Sequence, residues 1–258
     1  MSGCSVFEGG GAAASRGELV VLFDVTGSAV GTQDQQRRHL TDVVLPLAER
    51  RKAEVVLATI DDDARAEPRI VGRVSFDTAA AEGNEVAAAR IVAAARRSVL
   101  RRADGIFRRA VAHPAPASDV AGALTWAGGL LAGTDGTDGD GGTDGDGGAD
   151  GGGRGWHGIA LLSDAVSTAR PCTMPRPVPS GADGSVDRCF PDGPPPLAGA
   201  DVLFLGAGSY QSAGGKHLAA ARLEAFWRSA VARGGGHVVA YGATVLGQST
   251  NEEGNAHD

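Results

Sequence analysis

Five consecutive apolar residues, Leu19-Val20-Val21-Leu22-Phe23, end abruptly at Asp24. A strand with one wet face alternates apolar and polar side chains. An unbroken run rich in β-branched residues is instead covered on both faces, as in the middle of a parallel sheet. Such a sheet needs helices on both sides, so this stretch directs the chain toward a layered α/β fold. EVVLATID at Glu54–Asp61, GIALLSD at Gly158–Asp164 and DVLFL at Asp201–Leu205 read the same way, and His237–Leu246 is the last strand of the series. Arg69–Phe76 has polar ends and a short middle. With Asp61-Asp62-Asp63 as a turn, it reads as the hairpin partner of the preceding strand, at a sheet edge.

Between the strands the period changes to that of a helix. Residues 34–51 carry a stripe of Leu40, Val43, Val44, Leu47 and Ala48, which Pro46 kinks or breaks. Residues 84–112 form a long helix with Ile91, Ala95, Val99, Ile106 and Ala110 inward, and Arg96, Arg97, Arg101, Arg102, Arg108 and Arg109 as a solvated basic face. Val120–Leu131 follows Ser118 or Asp119 as N-cap. Leu218–Ala232 stops at Arg233-Gly234-Gly235-Gly236. The expected architecture is a Rossmann-like three-layer α/β fold. Its sheet has about six strands, mostly parallel, with one antiparallel edge strand and helices on both faces.

That domain covers residues 18–246, between a flexible tether (1–17) and a polar, disordered tail (247–258). Two insertions interrupt it. Residues 133–155 repeat Thr-Asp-Gly and Asp-Gly-Gly, and such a stretch cannot bury apolar surface and is expected to be disordered. Residues 165–199 form a long Pro-rich connection containing Cys172 and Cys189. The chain's formal charge is −7, and six aspartates fall in the first insertion, so the rest is nearly neutral. That balance gives no reason to expect a nucleic-acid partner, which calls for a basic stripe. No apolar run is long enough to cross a membrane.

Ligands of open α/β sheets bind where strands end and helices begin. There, Asp24-Val25-Thr26-Gly27-Ser28 offers a carboxylate and two hydroxyls from alternate positions. These are hard oxygen donors, suited to Mg²⁺ or Mn²⁺. The same residues also read as a strand-end Asp and a helix cap, with Ser28 or Thr32 taking free N–H groups. Ser118 and Asp164 stand at two other strand-to-helix junctions.

In this order, Asp24-Val25-Thr26-Gly27-Ser28, then Ala117-Ser118-Asp119 with Ala123-Leu124 downstream, then Leu161-Leu162-Ser163-Asp164, the chain resembles a von Willebrand factor type A domain with its metal-ion-dependent adhesion site. The likeness spans about residues 18–246 and includes the antiparallel hairpin. It departs from the family pattern in Thr26 for Ser, Ser118 for Thr and Ala165 for Gly, and in lacking the helix common after the third motif. The resemblance implies that Asp24, Thr26, Ser28, Ser118 and Asp164 hold Mg²⁺, or Mn²⁺ or Ca²⁺. It further implies that an acidic side chain of a protein partner completes the coordination, and that the activity is binding rather than a reaction. Two other readings stay open: an α/β hydrolase- or phosphatase-like enzyme, and a metal-free scaffold. No Gly-x-Ser-x-Gly elbow supports the enzyme.

The cysteines bear on compartment. As written, residues 1–18 carry no apolar signal core, which reads as cytoplasmic. Ser2-Gly3-Cys4 followed by a small-residue tether looks like the cleavage end of a bacterial lipoprotein signal, with Cys4 as the lipid attachment point. In that exported alternative, Cys172 and Cys189 pair as a disulfide, with Cα atoms about 4.4–6.8 Å apart.

Overall fold

In the computed structural model of the chain, which describes residues 17–64, 70–134, 155–174, 182–207 and 217–242, β1 (Glu18–Asp24) runs through the middle of the sheet. The other strands are β2 (Glu54–Ile60), β3 (Ile70–Ser75), β4 (His157–Leu162), β5 (Asp201–Leu205) and β6 (His237–Gly242). Their order across the sheet is β3-β2-β1-β4-β5-β6. β1 pairs in parallel with β2 on one side and β4 on the other, and only β3 runs antiparallel, at the edge beside β2. The six-stranded, mostly parallel sheet with one antiparallel edge strand agrees with the expectation from the apolar runs.

All seven residues of β1 are buried. Val20 and Leu22 join one core; Leu19, Val21 and Phe23 join the other, as the two-residue period of a strand requires. Against the first face pack α4 (Val120–Thr134), α5 (Ala182–Cys189) and α6 (His217–Arg233), through residues such as Leu124, Val186 and Trp227. The second face is covered by Leu40 and Val44, which follow α1 (Gln33–His39), and by α2 (Leu45–Arg51) and α3 (Glu85–Ala112). Asn84 caps α3 by accepting the Ala87 N–H at 2.9 Å. At the far end of α3, Phe107 meets Phe23 edge-on with centroids 5.7 Å apart, pinning the helix beneath the end of β1.

Pro46 neither ends nor sharply breaks its helix. The five residues Leu40–Val44 before α2 wind as a π-helix. Pro46 lacks the N–H that the carbonyl four residues back would accept, and a wider turn accommodates the loss. A second difference lies in the Pro-rich connection, where the eight-residue helix α5 forms. Its prolines exclude a long helix, but the Ala182–Cys189 stretch contains none. Cys189 at the end of α5 is joined to Cys172 by a disulfide, with Cα atoms 4.1 Å apart, slightly closer than expected. The tether with Cys4, most of the acidic insertion, residues 65–69 between the Asp61–Asp63 turn and β3, the continuation of β6 to Leu246 and the polar tail lie outside the described residues.

Candidate functional site

β1 delivers Asp24 to the carboxyl edge of the sheet, where the chain leaves the ladder. The carboxylate is almost wholly enclosed, at 4% exposure, so its partners decide what it can do. Oδ1 accepts the Thr26 backbone N–H at 3.1 Å and the Thr26 hydroxyl at 2.7 Å. Oδ2 accepts the Ser118 hydroxyl at 3.2 Å and the Ser163 hydroxyl at 2.7 Å. The Ser28 hydroxyl lies 3.1 Å from that of Thr26. Gln36 of α1 closes the site from below by donating its amide to the Asp24 carbonyl at 3.2 Å.

Residues 94 and 139 positions from Asp24 reach it because the loops are tied to one another. Ala115 forms a parallel bridge with Thr26: it donates its N–H to Val25 O at 3.1 Å and accepts the Gly27 N–H at 3.3 Å. Asp119 donates its N–H to the Asp61 carbonyl at 2.7 Å. The Asp61 carboxyl accepts the Asp63 N–H, as a turn residue does, and burial pushes its pKa up, partly offset by that bond. Asp119, not Ser118, caps α4, taking the Gly122 N–H at 2.9 Å. That division leaves the Ser118 hydroxyl for the site. The helix-cap reading of Thr32 does not apply either: its hydroxyl donates to Ala29 O, and Thr32 makes no side-chain cap bond.

Four of the five residues singled out from the sequence, Asp24, Thr26, Ser28 and Ser118, therefore form one hydrogen-bonded group. Asp164 stands one residue beyond Ser163 at the same edge, and its Oδ1 accepts the Val166 N–H at 2.9 Å. Ser163 was not singled out. In the sequence it is one Ser at the end of a buried strand, and only the register of β4 against β1, Phe23 opposite Leu162, brings it level with Asp24. Among the described residues, no three His, Cys, Asp or Glu side chains gather as a metal site; what gathers here is carboxylate with hydroxyl.

Together these features define an α/β protein with a cradle of hydroxyls around a buried carboxylate at the carboxyl edge of its sheet. No family model matches the chain, and no curated protein matches it. Among solved structures, it is similar to the human COPII-coat protein Sec24c, at 10% identity and TM-score 0.38, over 89% of this chain and 30% of that one. It is also similar to the pilus adhesin SpaC of Lactobacillus rhamnosus GG in an open conformation, at 13% identity and TM-score 0.34, over 84% and 27% of the two chains. The chain thus spans about a third or less of the length of these structures.

Proposed function

We propose that the protein is a divalent-metal-dependent protein-binding module. Asp24, Thr26, Ser28, Ser118 and Asp164 would hold Mg²⁺, or Mn²⁺ or Ca²⁺, and a partner would contribute an acidic side chain to the bound ion. When bound, the metal supplies positive charge that an anionic partner group can approach. This is the interaction mode implied by the resemblance to von Willebrand factor type A domains.

The observation that carries the reading is the state of Asp24. It is buried and takes four hydrogen bonds, yet no Lys, Arg or His pairs with it among the described residues. Hydroxyl and amide dipoles soften the cost of a buried carboxylate but do not cancel its charge. The surrounding donor set is all oxygen, which suits a hard cation. Hydroxyls that donate to Asp24 keep lone pairs on their other side.

Two surface hollows are lined by none of the five proposed ligands. One, of about 200 Å³, lies between α2 and the β5–β6 edge; the other, of about 320 Å³, lies between α1 and α3. Neither is lined by Ser, Thr, Cys or His. The metal-free scaffold is the second reading, favoured by the fact that both oxygens of Asp24 already have protein partners.

Titration calorimetry with Mn²⁺ separates the two. The binding module predicts one site in the wild-type protein, weakened at least tenfold in Asp24→Ala. Heat that is absent from the wild type, or unchanged in the variant, leaves the scaffold.

A further inference from the structure

Ser118 reaches Asp24 from a loop, but that loop does not hold it alone. The segment after Asp164 folds back across it. The Ser118 carbonyl accepts the Thr168 N–H at 2.8 Å, the Ala169 N–H at 3.2 Å and the Ser167 hydroxyl at 3.2 Å. In the other direction, the Ser118 N–H donates to the Thr168 hydroxyl at 2.9 Å. Residues 167–169 thus act as a strap that grips both backbone groups of one site residue.

The strap is anchored at both ends. At Ala165, the carbonyl accepts the buried Trp227 indole N–H of α6 at 2.9 Å. At Cys172, the disulfide to Cys189 ties the strap to α5, which is held to α6 by an ion pair between Asp187 and Arg233. Just beyond the second anchor, the Met174 N–H returns to Ser167 O at 2.9 Å.

We infer that Thr168, held in place by the Cys172–Cys189 bond, is the positioning residue that fixes the Ser118 hydroxyl for metal binding; this rests on the metal-binding reading above. The side chain is decisive because only it pairs with the Ser118 N–H. Ser118 is 3% exposed, so losing the Thr168 hydroxyl leaves that N–H buried and unpaired. Thr168 itself is exposed, so Thr168→Val removes the acceptor at nearly constant volume without disturbing the core.

Two readouts on the full chain with its disulfide intact test the inference: hydrogen exchange of the Ser118 amide, and Mn²⁺ affinity. Thr168→Val is expected to speed Ser118 exchange at least tenfold and weaken Mn²⁺ binding at least threefold, with an unchanged circular dichroism spectrum. Thr168→Ser is expected to restore both. Replacing both bridged cysteines by Ala is expected to speed exchange at Ser118, Thr168 and Ala169 together. If Thr168→Val leaves Ser118 exchange within twofold of wild type, Thr168 does not hold Ser118. If exchange speeds up while Mn²⁺ affinity is unchanged, the strap is purely structural and the metal reading stands. If the wild type binds no Mn²⁺, the metal reading falls and the positioning role falls with it; the exchange result then reports only the clamp.

Discussion

Replacing Asp24 by Asn separates charge from shape. The amide oxygen can still accept from Thr26, and its NH₂ can donate to the Ser118 and Ser163 hydroxyls, which are free to turn. Asp24→Asn is therefore expected to change metal-free stability by no more than about 1 kcal/mol while abolishing Mn²⁺ binding; denaturant unfolding with and without metal checks both. His39 is a second residue with a measurable signature. It is buried, and neither ring nitrogen has a hydrogen-bond partner among the described residues. Burial, then Arg38, lowers its pKa from 6.5, with Asp42 opposing. The folded state thus resists the proton that the unfolded chain accepts. Its contribution to stability is full above pH 6.5 and is lost as pH falls through the lower folded pKa. His39→Leu is expected to flatten the fall in melting temperature between about pH 7 and the low-pH side of the histidine range; an unchanged slope would show that His39 is solvated. At this scale, the sequence revealed the residues whose chemistry is local. Asp24, Thr26 and Ser28 share one turn and could be read together, as could the hydroxyl at Ser118. Ser163 and Thr168 could not, because their roles depend on strand register and on a loop folding back.

Among the elements, α4 shows how closely the Pro-rich connection is fitted. A Cβ on Gly128 would stand 2.5 Å from Pro196 O and 2.9 Å from Leu197 Cδ2, whereas one on Gly129 meets nothing within 4 Å. Gly128→Ala is expected to destabilise by about 1–3 kcal/mol through overpacking. Gly129→Ala is expected to stabilise by up to about 1 kcal/mol through helix propensity. Thermal melts of the pair test the packing, and equal shifts would contradict it. Removing the disulfide by replacing both cysteines with Ala is expected to cost roughly 3 kcal/mol for a loop of this size. The strands were legible because runs such as Leu19–Phe23 and Val202–Leu205 are apolar without interruption and strand period needs no context. α5 was hidden because the flanking prolines dominate the composition of residues 165–199, although the helix occupies a proline-free window. The π-helix before Pro46 accommodates the missing N–H, and its Leu40 and Val44 are buried in the core, a placement that the local sequence alone does not specify.

On the scale of the whole molecule, the site and the two points where the acidic insertion joins the fold belong to opposite poles. α4 starts beside Ser118 and runs 15 residues, about 22 Å at the usual rise, to Thr134, so the first two residues of the 133–155 stretch are helical rather than disordered. The chain re-enters at the start of β4, while Asp24 and Ser163 lie at the strands' other ends. Loop closure changes by only about 0.6 kcal/mol per doubling of length. Replacing residues 135–154 by a short Gly/Ser link is therefore expected to leave the melting temperature and Mn²⁺ affinity unchanged; a marked loss of either would give the insertion a structural role. The central claim is that hydroxyls and carboxylates from three junctions hold one divalent ion, and anomalous diffraction from crystals grown with Mn²⁺ tests it most directly. The account predicts a single strong peak at the sheet edge, within bonding distance of the Ser28 and Ser118 hydroxyls and beside Asp24. An empty edge at a Mn²⁺ concentration that fills other surface sites would contradict it.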